Sequence, residues 1–124
     1  MEKDIREPFE VRIQKVDEVT RDYYEQLSAH LTSFKKVKSR KSIRCDSYRI
    51  GRKLVAKIAL GGNSLKLYLA IPKDAEILVN GKYHARDLSN TKAYEEVPTM
   101  FSIKSQLAVR KAQEVIDFMM RHYN

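Results

Sequence analysis

His84, Arg86 and Asp87, within Tyr83-His-Ala-Arg-Asp87, are the nearest this sequence comes to an acid–base constellation. An imidazole titrates near neutrality, and a neighbouring carboxylate can fix its tautomer, so the pair has the parts of a general base. No nucleophile, phosphate-cradling glycine loop or metal-ligand spacing lies nearby, and the residues read as a His and an Asp that satisfy loop backbone groups. Cys45 has Arg44 and Arg49 as cationic neighbours, the setting that activates a thiol. Strand alternation turns it inward beside Ile58, however, where a thiol acts as a small hydrophobe. His30 lies on an apolar helical stripe and His122 near a helix C-terminus; neither has a partner at ligand spacing. Met119-Met120 sits at core spacing. The expectation is a protein that is not an enzyme, with no catalytic residue, metal or cofactor.

The stronger signal is charge. Between Lys35 and Lys73, twelve Lys or Arg face a single acid, Asp46, a net of +11. Residues 1–34 carry −3 and residues 74–124 are neutral, so this segment holds more than the whole net charge of +8. Such segregation is an electrostatic footprint for a polyanion. Lys35, Lys36, Lys38, Arg40 and Lys41 form a flexible run, Arg52 and Lys53 sit at a turn, and Arg44, Lys57 and Lys66 lie on strands. All are candidates for phosphate contact. Tyr48 and Tyr68, on the same expected sheet face, are candidates for stacking on unpaired bases. The plainer reading is a solvated lysine-rich face with tyrosines covering the sheet. The expected function is a non-enzymatic binding module with nucleic acid as favoured ligand; the alternative is an accessory domain that binds an acidic protein.

Elements must position those cations. Phe9, Val11 and Ile13 alternate with polar residues, the period of a half-buried strand. Asp17 then caps an amphipathic helix over 18–34, striped by Val19, Tyr23, Leu27, His30, Leu31 and Phe34. Three strands follow, 43–50, 53–61 and 64–71, joined by tight turns at Gly51-Arg52 and Gly62-Asn63. Two-residue loops pair Cys45 with Ile58, Ser47 with Ala56, Ile58 with Leu67 and Ala56 with Leu69. That register puts Ile43, Cys45, Leu54, Ala56, Ile58, Leu67 and Leu69 on one apolar face. Asp46, Lys57 and Tyr68 then share a row on the other, beside Tyr48 and Val55. Asn80-Gly81 signals a hairpin between 77–79 and 83–84, and 87–98 reads as loop with one helical turn. A strand over 99–104 and a helix over 106–122 capped by Ser105 close the chain.

Length sets one domain, residues 1–124, able to bury about two-thirds of its unfolded surface. One cysteine, no apolar run near the ~20 residues of a membrane span, and an acidic N-terminus point to a cytoplasmic protein without membrane contact. The fold class expected is α+β, an antiparallel sheet of four or five strands with the helices 18–34 and 106–122 on one face. Oligomeric state is not legible.

The succession Lys36-Lys-Val-Lys-Ser-Arg40, Gly51-Arg52 with Ala56-Lys57, Leu67-Tyr-Leu-Ala70, Lys82-Tyr-His84 with Asp87-Leu-Ser89, and Val97-Pro98 resembles an uncharacterised bacterial domain family of Firmicutes proteins. It is more distantly similar to YjbR-like double-wing domains. The resemblance spans about residues 9–122 and implies a small curved antiparallel sheet backed by two helices, with no activity attached. Ile43 stands where that family usually has an aromatic, and the stretch from Ala70 to Lys82 is about two residues longer, so that loop is not carried over.

Overall fold

A computed structural model describes residues 7–61, 64–72, 74–80, 83 and 85–122. Helices α1 (Phe9–Lys15) and α2 (Glu18–Thr32) precede strands β1 (Val37–Lys41), β2 (Cys45–Ile50), β3 (Lys53–Gly61) and β4 (Ser64–Leu69). Then come α3 (Glu76–Asn80), β5 (Ala85–Asp87), a 3-10 turn at Lys92–Tyr94, β6 (Thr99–Ile103) and α4 (Gln106–His122). The strands form one antiparallel sheet in the order β1-β2-β3-β4-β6-β5. The α+β architecture expected from the sequence is present, with six strands among the described residues instead of four or five and four α-helices instead of two.

Local signals account for the two long helices. The Thr20 backbone N–H donates to Asp17 Oδ1 at 2.8 Å, and the Thr20 hydroxyl together with that N–H holds the Asp17 carboxyl below its ordinary range. The Ala108 N–H donates to Ser105 Oγ at 3.1 Å at the start of α4. Both helices bury their stripes on the same sheet face: Leu27 and Leu31 from α2, and Val109, Ala112, Val115, Ile116 and Met119 from α4, meet Ile58, Leu67 and Phe101. Gln26 and Gln106 exchange side-chain hydrogen bonds between the helices, and His30 Nε2 lies 2.7 Å from Asp117 Oδ1.

Three local expectations are overturned. Phe9 to Ile13 is a helix, not a strand: Phe9 and Ile13 are buried one turn apart, while Val11 is 39 % exposed. Three apolar residues fit either period, and Pro8, with its φ of −59°, leads directly into the helix. Residues 37–41 of the basic run form the edge strand β1 and not an irregular stretch, with Val37 in the core and paired with Ile50. The first arm of the hairpin expected around Asn80 is α3, while Gly81, Lys82 and His84 lie outside the described residues, as does the turn expected at Gly62-Asn63.

The register is half as expected. β3 and β4 pair Ile58 with Leu67, Lys57 with Tyr68 and Ala56 with Leu69. Between β2 and β3, however, Arg49 pairs with Leu54 and Tyr48 with Ala56, so Val55 is an extra residue, a β-bulge. The bulge turns β2 over relative to the expectation. Cys45 and Ser47 join the Lys57 face, whereas Asp46 and Tyr48 point at the helices, both 0 % exposed. Val55 moves to the helix face, and Leu54 joins Tyr68, Val97 and Met100 on the other. Buried Asp46 accepts hydrogen bonds from the hydroxyls of Tyr24, at 2.8 Å, and Tyr48.

Leu67 is 0 % exposed at the centre of this core, as its pattern predicts. Leu67→Ala is expected to cost about 2–5 kcal/mol in a urea unfolding titration, through reduced burial and the cavity left behind.

Candidate nucleic-acid interface

The sheet face away from the helices is built by alternation in β1, β2, β3, β4 and β6. One row runs Arg40, Ser47, Lys57, Tyr68, Met100, Arg86 across all six strands. Lys38 and Arg49 form the adjacent pair, and Lys66 opposes both Ala59 and Ser102 on the other side. The strand positions on this face therefore hold Lys38, Arg40, Arg49, Lys57, Lys66 and Arg86 and, among the described residues, no carboxylate. Asp46, the only acid of the basic segment, lies on the opposite side because of the bulge.

The expected stacking platforms are not open. Tyr48 is enclosed under α2. Tyr68 is 9 % exposed and lies beneath Tyr94, the two rings parallel to within 3° with centroids 4.6 Å apart. The segment 88–97 holds Tyr94 there: the Leu88 N–H donates to the Pro98 carbonyl at 2.6 Å, and fully buried Val97 packs with Leu54 and Met100. It covers the β4 and β6 half of the face. Lys57 Nζ lies 5.8 Å from the Tyr94 ring centroid, within cation–π range.

The other candidate cations divide by element. Lys35 and Lys36, in the turn before β1, meet Lys53 around a concavity of about 500 Å³ floored by Phe34, Ile50 and Met120. Arg52 is exposed in the β2–β3 turn, where its carbonyl accepts from Arg49 Nη1 at 3.1 Å. That turn needs Gly51, whose φ of 61° is costly for any residue with a Cβ. Lys41 pairs with Asp46 and so belongs to the helix side of β1, but remains exposed at the sheet edge. Arg44 sits in the β1–β2 loop.

Sequence reasoning left Arg12, Arg49, Arg86 and Tyr94 out of the candidate phosphate and base contacts. Arg12 projects from α1: Nη2 donates to the carbonyls of Ile43 at 3.1 Å and Arg44 at 3.2 Å, and Nε to the Glu7 carbonyl at 3.1 Å. Phe9, Val11 and Ile13 fit a strand period as well as a helical one, so the helix that carries Arg12 is not marked locally, and no local pattern marks Tyr94. Asp87, from the cluster with His84, accepts from the Ser89 N–H at 3.0 Å and hydroxyl at 3.1 Å, closing a loop. Cys45 is 8 % exposed, with its Sγ 3.5 Å from Ser47 Oγ. No helix among the described residues is long and apolar enough to cross a membrane. No family model, curated protein or solved structure matches this chain.

The tyrosines make a pH prediction. Burial, reinforced by the Asp46 carboxylate, raises Tyr24 and Tyr48 well above the ordinary phenol value, and burial against Tyr94 raises Tyr68. The unfolded chain thus loses these protons first, so their contribution to stability is intact below about pH 10 and falls as pH rises beyond it. In an alkaline titration, tyrosinate absorbance from these three residues is expected to appear together with loss of the circular dichroism signal. Their ionisation in a still-folded protein would contradict the packing described.

Proposed function

We propose that this chain is a non-enzymatic polyanion-binding module whose ligand is nucleic acid. The observation that supports it is the sheet face away from the helices, whose strand positions hold six cations and, among the described residues, no carboxylate. The exposed Lys38, Arg40 and Arg49 lie on its β1 and β2 half, with Lys41 at the sheet edge beside them. This half suits a phosphate backbone: long basic side chains on an extended, regular frame, spaced by the two-residue strand repeat. With Tyr48 in the core and Tyr68 under Tyr94, the reading assigns affinity to phosphates and little to base stacking. Binding is then tolerant of sequence and similar for single and double strands.

The alternative, an acidic protein partner, has one feature of its own in its favour. β1 is an edge of the sheet, and an acidic extended segment could pair with it. Lysines on an edge strand also discourage such pairing.

Salt separates the two. Micromolar protein is expected to bind short oligonucleotides at about 50 mM salt and lose most of that affinity by about 200 mM, log-linearly. Replacing Lys36, Lys38, Arg40 and Lys41 with Gln should reduce the slope by about 0.7–0.9 for each phosphate no longer neutralised, measured by fluorescence anisotropy. Absence of any binding at low salt would eliminate nucleic acid and leave the acidic partner.

A further inference from the structure

A groove of about 390 Å³ runs along one end of the open face, where four separate parts of the chain deliver a cation each. Arg12 comes from α1, Arg44 from the β1–β2 loop, Lys57 from β3 and Lys66 from β4. None of the described residues lining the groove is acidic. The salt bridges among the described residues, Lys15–Glu7 and His30–Asp117, involve none of these four. All three Arg12 hydrogen bonds go to neutral carbonyls, which orient its guanidinium without cancelling its charge. Like charges converging on one concavity repel, and an anion carrying more than one negative charge relieves that repulsion.

The walls are shaped as well as charged. Gly61 lies against the Lys66 side chain: a Cβ there would stand 3.1 Å from Lys66 Cε, so the missing side chain makes room for the lysine stem. Lys66 Nζ donates to Ser102 Oγ at 3.3 Å, a neutral partner. Tyr68 and Tyr94, stacked and held by the 88–97 segment, close one side, while Ala59 and Leu60 supply apolar surface. The volume lies within the range of small-molecule pockets, about 300–1,000 Å³. A bare phosphate would leave the apolar wall unused.

We infer that this groove is a seat for a phosphate monoester dianion attached to a flat or apolar body, as at the phosphorylated end of a nucleic-acid strand or in a free mononucleotide. Lys66 and Arg44 hold the phosphate, and the organic part lies along Leu60 and Tyr94. The strand source rests on the proposed function; the free nucleotide does not. An internal phosphodiester carries one negative charge, so the dianionic terminus gains more from the converging cations.

The test uses the full chain and one 12-nucleotide single strand prepared with hydroxyl ends, a 5′-phosphate or a 3′-phosphate, at about 50 mM salt, with adenosine 5′-monophosphate titrated calorimetrically in parallel. One phosphorylated end is expected to bind about tenfold more tightly than the hydroxyl-ended strand. Lys66→Gln and Arg44→Gln should shrink that difference below about twofold, whereas Lys38→Gln with Arg40→Gln should weaken all three strands alike. If no strand binds but the mononucleotide does, and Lys66→Gln abolishes it, the groove stands with the free nucleotide as its ligand and the nucleic-acid reading fails. If strands bind regardless of their ends and the mononucleotide gives no heat, the groove inference is wrong while the nucleic-acid reading survives. Circular dichroism of each variant confirms that it is folded.

Discussion

The buried Asp46 carboxylate is the constraint on which the arrangement of the molecule turns. Its Oδ2 accepts from hydroxyls on α2 and on its own strand, Tyr24 and Tyr48. Both hydrogen bonds fall on Oδ2 while Oδ1 is buried without a partner, so removing either tyrosine hydroxyl from this already under-satisfied group costs about 1–3 kcal/mol. The cluster therefore ties the position of α2 to the facing of β2. Phe9 meets the Tyr24 ring edge-on, with centroids 5.4 Å apart, so α1 is keyed to the same cluster.

Facing β2 this way requires the bulge at Val55, and the bulge has consequences on both sides of the sheet. On the helix side it exchanges Cys45 and Ile43 for Tyr48, a far larger side chain, and adds Val55 to the core. On the other side it brings Arg49 into line with Lys38 and places Ser47 between Arg40 and Lys57. The one acid of the basic segment leaves the surface altogether. The electropositive face is thus a by-product of packing: the same one-residue shift that buries the carboxylate removes the charge that would have opposed Lys57.

The segment 88–97 decides how much of that face remains accessible. It closes over Leu54, Tyr68 and Met100 with Val97 and Tyr94, a small second core that leaves the β1–β2 half and the groove at Arg44 and Lys66 uncovered. Leu88, Tyr94 and Val97 are separated by irregular intervals, so no periodicity marks them as a covering layer. Only the presence of an apolar patch beneath them, itself created by the bulge turning Leu54 outward, gives them something to bury.

Whatever depends on close neighbours along the chain could be read before folding. Asp17 and Ser105 start the long helices because a side-chain acceptor must meet an unpaired N–H within three residues. The β3–β4 register followed from the alternation of Leu65, Leu67 and Leu69 against Lys66 and Tyr68. The surplus of cations in 35–73 was legible as composition. Which way β2 faces was not, since both registers offer an apolar side and only Tyr24, twenty-two residues upstream of Asp46, selects between them. Nor could neighbours in the chain decide that Phe9 to Ile13 coils rather than extends, or that Arg12, Arg44, Lys57 and Lys66 meet around one groove. Those outcomes rest on contacts between distant segments, whose free energy is set by packing and burial in three dimensions and leaves no local pattern to read.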